Sequence, residues 1–463
     1  MLKFNKHTNT LEQLNYVYDL HDVKEPKLYR EIFDYNKIPK IPFNHRRVPM
    51  QPPDQIWITD TTFRDGQQSM PPYTVKQIVD IYDMLHKLGG PKGIIRQCEF
   101  FLYSDKDKEA VRECLARGYR YPEVTGWIRA VKEDFKLVKD MGLKETGILT
   151  SASDYHIFNK LKKTRRQAME GYLAVVKSAL EIGVIPRCHF EDITRADFYG
   201  FIVPFAVELM KLSEESGIPI KIRACDTMGY GVPIPGASLP RSVPGIIYGL
   251  NHYAKVPSEQ LEWHGHNDFH KVLINSTFAW LYGCSAANGT LFGFGERTGN
   301  PPLEALIIDY ISLTGNDDDV DTTVITEIAR YFEKEIGIKI PPNYPFVGSD
   351  FNVTRAGIHA DGIMKDEEIY NVFNTKKLLN RPVKIGITDK SGRAGIVYWI
   401  NSYFELDDNK KMHKNHTGVN RIAKWVESEF ANGRITSVSD KELLEQVKRY
   451  MPELTEPAED CER

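Results

Sequence analysis

The chain has 463 residues, of which 41% are hydrophobic and 27% charged, and its formal net charge is -3. This composition excludes a strongly basic nucleic-acid-binding protein, and no apolar run approaches the roughly 20 residues that a membrane-spanning helix needs. The beginning of the chain lacks the apolar core of a signal peptide, so we expect a cytoplasmic protein without a membrane partner. Cysteines at positions 98, 114, 188, 225, 284 and 461 form no CxxC pair, which indicates free thiols in a reducing compartment.

The first element in chain order is a segment rich in charge and proline, residues 1–55. It includes the stretch EPKLYREIFDYNKIPKIPFNHRRVPMQPPD. We interpret it as an N-terminal arm that wraps around the rest of the protein, or as a helix with a loop, partly disordered.

From residue 56 to 317, short β-rich runs alternate with segments of helical period such as TVKQIVDIYDMLHKLGG. The candidate strands are QIWITDTTF, GIIRQCEFFL, YPEVTGWIRA, ETGILTSAS, VIPRCHFEDI, IKIRACDTMG, LEWHGHND and AANGTLFGFG. Eight βα units in about 260 residues predict an α/β fold, a (β/α)8 TIM barrel, whose functional side chains gather at the carboxyl ends of the strands.

Residues 318–463 carry mainly helical patterns, such as TTVITEIARYFEKEIG, NRIAKWVESEFANG and DKELLEQVKRYM, separated by a loop-rich middle. We predict a helical C-terminal region of linker and lid subdomains that follows the catalytic barrel. The chain is long enough for this second region in addition to a barrel.

A pair of histidines one residue apart ends the seventh candidate strand, in LEWHGHND. Because strand side chains alternate faces, His264 and His266 point into the same space. The first candidate strand ends in DTTFRDGQQ, which brings Arg64 and Asp65 to the same mouth of the barrel. One carboxylate and two imidazoles predict a divalent metal site with open positions for substrate. The structural alternatives are hydrogen-bonded core histidines and an Arg64–Asp65 salt bridge.

Other polar groups are predicted at the same mouth. Glu191 and Asp192 follow the fifth strand, and Asp226 and Thr227 follow the sixth. Each acid is a general base, a group that fixes a neighbouring residue, or a cap of the next helix. The glycines of GFGERTGNPPLE either admit a phosphate or carboxylate to the backbone or only form a turn.

Six motifs together resemble the Claisen-condensing branch of the DRE-TIM metallolyases, over about residues 56 to 400. They are TDTTFRDGQQ, DTMGYGVP, HGHND, GFGERTGNPPLE, AGIHADG and DKSGRAG. That branch includes isopropylmalate, homocitrate and citramalate synthases and the Re-face citrate synthases. The resemblance implies a TIM-barrel acyltransferase that joins acetyl-CoA to a 2-oxo acid.

The resemblance also implies a site, which is transferred residue by residue. The metal ligands would be Asp65, His264, His266 and Asn300. Arg64 would contact the 2-oxo acid, and Glu191 and His359 would serve acid-base chemistry. Tyr370 would correspond to a tyrosine that, with the histidine, enters the neighbouring subunit's barrel in family members, which implies a domain-swapped homodimer. The divalent metal is left open among manganese, our first choice, magnesium, cobalt and zinc.

The identity of the 2-oxo acid rests on polar residues near the second and third strand ends. Arg96, Gln97 and Arg129 favour a second carboxylate on the substrate, and Thr227 completes the substrate-binding set. IRQCEFFLYS, EVTGWIRA and ITDKSGRAG resemble Re-face citrate synthases more than the other synthases, which implies oxaloacetate. Isopropylmalate, homocitrate and citramalate synthesis are the alternatives, and a structural ion-pair network around these arginines would remove the argument from polarity.

Three positions depart from the usual pattern of the family: Gln67 and Gln68 replace glutamate, and Lys390 replaces histidine. Three rival classes remain. A metal-dependent hydrolase of the amidohydrolase type places its HxH pair on the first strand, a retro-aldol lyase of the same superfamily lacks the long second region, and a non-catalytic barrel binds metal without turnover.

Overall fold

In a computed structural model of the chain, residues 2–6, 10–13, 17–407 and 409–455 are described. The chain divides into two compact units, Met1–Val320 and Asp321–Arg463. The finer boundaries expected from the sequence, with an arm at 1–55 and a barrel at 56–317, stay predictions.

The first unit contains a closed barrel of eight parallel strands, which confirms the predicted TIM barrel. Each strand lies within one of the eight runs identified from the sequence. In chain order they are β3 (Trp57–Asp60), β4 (Ile95–Phe101), β5 (Glu123–Ile128), β6 (Glu145–Ser151), β7 (Ile185–Glu191), β8 (Lys221–Asp226), β9 (Leu261–Gly265) and β10 (Ala286–Gly289). The barrel closes where β10 pairs with β3, with Ala286 opposite Trp57 and Gly289 opposite Asp60.

Helices follow the strands and cover the outside of the barrel. They are α1 (Gln67–Ser69), α2 (Val75–Gly89), α3 (Asp105–Ala116), α4 (Phe135–Asp140), α5 (Arg165–Glu181), α6 (Val203–Ser216), α7 (Val243–His252), α8 (Val272–Leu281) and α9 (Leu303–Thr314). Capping boxes start α2 and α5: Thr74 and Thr164 each accept from the backbone amide three residues on, and Gln77 and Gln167 bond back. These caps satisfy amides that the first helical turn leaves unpaired.

Strand alternation separates an apolar outer layer from a polar barrel interior. In β9, Leu261 and Trp263 are buried in the cluster between sheet and helices. Glu262 and His264, the intervening residues, face the interior, where Glu262 bonds to Arg223. The same alternation therefore supplies both the hydrophobic core and the functional side chains.

The N-terminal segment begins with an antiparallel hairpin, β1 (Leu2–Asn5) with β2 (Thr10–Gln13). Residues 17–54 contain no helix and run along the barrel. Backbone amides of Ser238 and Gln51 bond to the carbonyls of Pro42 and Leu281, at 2.8 and 3.0 Å. Of the two alternatives drawn from the sequence, a wrapping arm therefore fits this segment, and a helix does not.

The second unit is mainly helical, as predicted, with α10 (Val324–Tyr331), α11 (Gly357–Lys365), α12 (Thr375–Leu379), α13 (Gly392–Tyr403), α14 (Thr417–Ala431) and α15 (Asp440–Tyr450). A short parallel pair, β11 (Val353–Thr354) with β12 (Lys384–Ile385), accompanies the helices. The hydrophobic core of the second unit includes Ile363, Ile400, Val419 and Ile422.

Within the described parts of the chain, none of the helices combines the length and the apolar character that crossing a bilayer requires. Five cysteines, at 98, 114, 188, 225 and 284, are buried free thiols, in agreement with the sequence-based expectation. Cys461 lies outside the described residues.

Candidate active site and metal centre

Arg64 and Asp65 lie on a wide helical turn, Thr62–Gly66, that directly follows β3 at the carboxyl end of the barrel. Asp60, the last residue of β3, accepts hydrogen bonds from the amide and the hydroxyl of Thr62, at 3.1 and 2.5 Å. The Thr62 hydroxyl accepts in turn from the amide of Leu291, at 2.9 Å, beyond β10. This chain of bonds fixes the turn at the seam where the barrel closes. Turns of this kind are frequent at functional sites.

His264 and His266 face the same space, as their two-residue spacing predicts. The Nε2 atoms of His264 and His266 lie 3.4 and 3.8 Å from Oδ2 of Asp65. Potential ligand atoms of these three buried residues all lie within 4.8 Å of one another. The first and seventh barrel strands thus bring together the carboxylate and the two imidazoles.

A hydrogen bond fixes the tautomer of His264. Its Nδ1 lies 2.8 Å from Oδ1 of Asn288, a residue of β10. The amide nitrogen of Asn288 donates to the carbonyl of Thr59 at 3.2 Å, so the amide oxygen must face the imidazole. Nδ1 therefore carries the proton, and the lone pair of Nε2 points toward Asp65. A metal ligand requires this arrangement, and no sequence pattern indicated the role of Asn288.

Within the described part of the chain, two buried oxygens beside the histidines have no hydrogen-bond partner: Oδ1 of Asp65 and Oδ1 of Asn300. Asn300 donates from Nδ2 to the carbonyl of Gly265 at 3.2 Å, which directs its oxygen away from that carbonyl. A Cβ on Gly295 would lie 1.9 Å from the Asn300 oxygen and 3.3 Å from the Asp65 oxygen. Glycine is therefore required at 295, and both unpartnered oxygens lie beside the same point. Buried oxygens left in this state are costly unless a cation binds them.

The protonation states of the cluster also suit a cation. Burial lowers the pKa of His264 to about 3 and lowers the pKa of His266, so both imidazoles are neutral near pH 7. Burial alone would raise the pKa of Asp65, but the charge of Arg64 and the other polar groups around the carboxylate together lower that pKa. An ionised carboxylate, two neutral imidazoles and an amide oxygen are a donor set that fits Mn²⁺, Mg²⁺, Co²⁺ or Zn²⁺.

Arg64 is held beside this cluster by two carboxylates. Its Nε donates to Oε2 of Glu99 at 2.9 Å, and its Nη1 lies 3.3 Å from Oδ2 of Asp65. The guanidinium also lies 5.7 Å from the ring centroid of Trp127. The side chain is buried, so its orientation at the mouth is fixed by these contacts.

Below the mouth, the barrel interior contains a buried charge network that sequence analysis did not identify. Glu99 accepts from Arg187 and Arg223, each at 2.9 Å, in addition to Arg64. Glu262 accepts from Arg223 at 2.7 Å. Burial opposes ionisation of Glu99, but the charges of Arg223 and Arg64 lower its pKa well below the ordinary value. The carboxylates and guanidinium groups of the network therefore stay ionised, and Glu99 holds the Arg64 side chain in place.

A signal for this network was present in the sequence. Polar residues recur at every second position along three strands, in the rows Gln97/Glu99, Arg187/His189/Glu191 and Glu262/His264/His266. Because alternate residues share a face, each row predicts a polar barrel interior. The identity of the partners across the barrel depends on strand register and could not be read from the rows.

Glu191, the last residue of β7, lies at the mouth and contacts a histidine that sequence analysis missed. Its Oε2 lies 3.2 Å from Nδ1 of His156 and accepts from the hydroxyl of Ser151. Burial raises the pKa of Glu191, but His156, the Ser151 hydroxyl and Lys160 together outweigh it, and the pKa falls to about 2. Thr227 is close by, because its hydroxyl accepts from the amide of Asp192 at 2.8 Å.

Two further acids of the mouth have structural partners. Asp192 bonds to Arg195 and Ser153. Asp226 accepts from the Thr194 hydroxyl at 2.7 Å and from the amide of Gly231 at 2.8 Å. These acids therefore fix neighbouring residues in the loops around the mouth, and the Asp192 side chain makes no cap bond to the short helix Ile193–Arg195 that follows it.

Three residues assigned to the substrate are bonded to other protein side chains, and the argument from polar strand ends fails. Arg96 is at the amino end of β4, where it donates to Gln55 at 2.9 Å. Gln97 is bonded inside the barrel to Glu123, Glu145 and Arg187. Arg129 follows the carboxyl end of β5 but forms a two-bond ion pair with Asp134, at 2.9 and 2.8 Å. The polarity of these strands therefore reflects bonds within the protein.

His359 and Tyr370 belong to the second unit. Their ring centroids lie 4.3 Å apart, and the phenol ring is half exposed. Gln67, one of the positions that depart from the family pattern, bonds from Nε2 to the carbonyl of Phe63 at 3.2 Å. That glutamine closes the turn that carries Arg64 and Asp65.

Comparison with known proteins fits this architecture. Residues 55–331 match a family model described as HMGL-like. The chain belongs to the HMGL-like family. It is 64% identical to the Citrate (Re)-synthase of Syntrophus aciditrophicus, over 94% of this chain and 70% of the relative. It is 57% identical to the Citrate (Re)-synthase of Clostridium kluyveri, over 97% of this chain and 99% of the relative.

A more distant member of the family is the 2-phosphinomethylmalate synthase of Streptomyces hygroscopicus. It is 36% identical over 91% of this chain and 95% of the relative. The recognition of the family from sequence motifs is thus confirmed, and the similarity to the first two relatives, over 94% and 97% of this chain, supports an acyltransferase.

Proposed function

We propose that this protein is a metal-dependent acyltransferase that condenses acetyl-CoA with oxaloacetate on the Re face, giving citrate and CoA. The observation that carries the proposal is the cluster of Asp65, His264 and His266 at the mouth of the barrel. The proposal is also supported by 64% and 57% identity to two proteins named Citrate (Re)-synthase.

The cluster would hold a divalent ion, for which we propose Mn²⁺, through Asp65, His264, His266 and the oxygen of Asn300. When bound, such an ion acts as a Lewis acid that polarises the oxo group of the 2-oxo acid. Neutral imidazoles and an ionised carboxylate are already in the states that ligation needs, so binding releases few protons.

Arg64 would bind the 2-oxo acid beside this cluster. A guanidinium fixed by Glu99 can offer its remaining N–H groups to a carboxylate and to the negative charge that develops on the oxo oxygen. Since the charge network below keeps Glu99 ionised, Arg64 is preorganised before the substrate arrives. Thr227 would contact the substrate from the sixth strand.

The reaction requires a base that removes a proton from the methyl group of acetyl-CoA. The resulting carbanion attacks the oxo carbon of oxaloacetate, and water then cleaves the thioester to give citrate and CoA. Glu191 is ionised at neutral pH, which is the state that accepts a proton. We assign acid-base roles to Glu191 and to His359, with Tyr370 beside His359.

Free CoA released from acetyl-CoA and Mn²⁺ with a panel of 2-oxo acids tests this function. We expect turnover with oxaloacetate to exceed that with 2-oxoisovalerate, 2-oxoglutarate and pyruvate by a factor of 100 or more, about 3 kcal/mol of discrimination. Rapid turnover with 2-oxoisovalerate and none with oxaloacetate would overturn the substrate. Citrate made from labelled acetyl-CoA and cut by a stereospecific citrate lyase reports the face of attack.

We further propose a domain-swapped homodimer in which His359 and Tyr370 serve the partner's barrel. Coexpression of His266→Ala with His359→Ala tests it, because a mixed dimer would contain one intact site. About a quarter of the wild-type activity should return if the site is shared between subunits. No recovery, with mixed dimers present, would show that each chain completes its own site. A cytoplasmic location accords with the five free thiols.

A further inference from the structure

Arg96 lines a second cavity, at the end of the barrel opposite the proposed active site. It is the second residue of β4, and the mouth lies at the other end of that strand, about 15 Å away at roughly 3.3 Å per residue. The cavity has a volume of about 570 Å³ and is walled by the arm residues 52–56, the ends of α8 and α9, and the loop before β4. All of these segments belong to the first unit.

Arg96 differs from the buried arginines of the barrel because it has no carboxylate partner among the described residues. Its guanidinium lies 4.2 Å from the ring centroid of Trp57, and its one hydrogen bond is to the side chain of Gln55. Nε is buried and donates to no group. Burial lowers the pKa of Arg96, and no carboxylate is among the groups that counteract it.

The strand geometry turns Arg96 out of the barrel. The pairing of β3 with β4 skips one residue: Ile58 is opposite Ile95, and Thr59 is opposite Gln97. Arg96 is the residue left without a partner in this irregular register. Gln97 and Glu99 face the barrel interior, so strand alternation places the Arg96 side chain on the outer face of β4, toward the cavity.

The rest of the cavity determines what kind of anion it can accept. Lys92, the other cation of the wall, is already paired with Asp318 at 2.7 Å. The carboxylate of Asp54 lies on the exposed rim. The remaining wall is largely apolar and aromatic, with Pro52, Pro53, Ile94, Trp280, Leu281, Tyr310 and Leu313. Arg96, one cation without a carboxylate partner beside an apolar wall, suits a ligand that carries one negative charge on an apolar body. A phosphate dianion would need a second free cation, which this wall does not offer.

We propose that this cavity is a binding site for an organic acid with one carboxylate and an apolar body, and that Arg96 is its anion receptor. The carboxylate would accept from the guanidinium, including Nε, and the apolar body would lie against Tyr310 and Leu313. A charge-assisted bond satisfies the buried donor, which otherwise costs about 1–3 kcal/mol. The site is independent of the proposed reaction, because it shares no residue with the mouth.

Calorimetric titration of the full chain with phenylacetate tests the proposal. We expect saturable binding that excess oxaloacetate does not displace, and binding weaker by about tenfold or more in Arg96→Gln. The uncharged analogue phenylacetamide should bind the wild type as weakly as phenylacetate binds Arg96→Gln. Arg120→Gln is the matched control: Arg120 acts on Arg96 only through its charge and lies outside the wall, so its loss should leave the affinity within about twofold.

Three results would overturn the proposal: absence of saturable binding, equal affinity in Arg96→Gln, or displacement of phenylacetate by oxaloacetate. If Arg96→Gln fails to fold by circular dichroism, Leu313→Trp replaces it. Leu313 is 41% exposed and lines the cavity, so tryptophan there fills the apolar part while Arg96 stays intact. Unchanged phenylacetate affinity in folded Leu313→Trp would also refute the site.

Discussion

Replacement of Asn288 by alanine removes the group that fixes the tautomer of His264. In the native chain, Oδ1 of Asn288 accepts from Nδ1 of His264 at 2.8 Å, and Nδ2 donates to Thr59. Alanine leaves Nδ1 without its acceptor. The imidazole is then free to carry its proton on Nε2, the nitrogen that faces Asp65 at 3.4 Å, and to rotate away from it.

The expected loss follows from the cost of an unsupported ligand. Removal of the hydrogen-bond partner of a metal-binding histidine reduces metal affinity 10- to 100-fold, equivalent to about 1.4–2.7 kcal/mol. The buried hydrogen bonds of Asn288 to Thr59 and His264 are lost as well. We therefore expect a free energy of unfolding lower by about 1–3 kcal/mol, with the fold retained.

Calorimetric titration of metal-stripped protein with Mn²⁺ measures the affinity, and urea denaturation measures the stability. Asn275→Ala is the matched control, since Asn275 is equally buried and bonds to the carbonyl of Gly231. The control should lose stability but keep the Mn²⁺ affinity. If Asn288→Ala binds Mn²⁺ within twofold of the wild type, the assignment of His264 as a ligand with a fixed tautomer is refuted.

Three further predictions concern the seam and the mouth. Burial raises the pKa of Asp60 from 3.8 to about 7, so the native chain keeps a proton there that the unfolded chain releases, and stability falls as pH rises across that interval. Between pH 5 and 7 this fall is about 2.3 kcal/mol, because half of the native carboxyls are already ionised at pH 7. In urea denaturation Asp60→Asn should lack this fall, and an unchanged pH slope contradicts the assignment. Arg64→Lys keeps the positive charge but loses the Nε bond to Glu99. The value of kcat/KM for oxaloacetate should therefore fall about 100-fold or more, while the Mn²⁺ affinity is retained. A kcat/KM at the wild-type level would rule out the proposed role of Arg64. Glu191→Gln should lower kcat by a factor of about 10² to 10⁴ with little change in KM, and steady-state rates that stay at the wild-type level would exclude its acid-base role.

The sequence by itself determined the barrel and the residues of the metal cluster. Regular alternation of β and helical periods specifies eight βα units, because each period must bury one apolar face. The spacing of His264 and His266 places both on one face of a strand, and the position of Asp65 after the first strand brings it to the same mouth. These conclusions depend only on local strand geometry and on the closure of the sheet. The order of the strands along the chain already implies that closure.

Tertiary structure alone decided which polar groups find each other. The contact of Glu191 with His156 joins two separate βα units, and the cavity beside Arg96 forms only where the N-terminal arm, α8 and α9 meet. Asn288 becomes the partner of His264 only when the last strand closes the barrel. Pairings across strands depend on register and on distances of a few ångströms, and those are properties of the folded chain that no local pattern encodes.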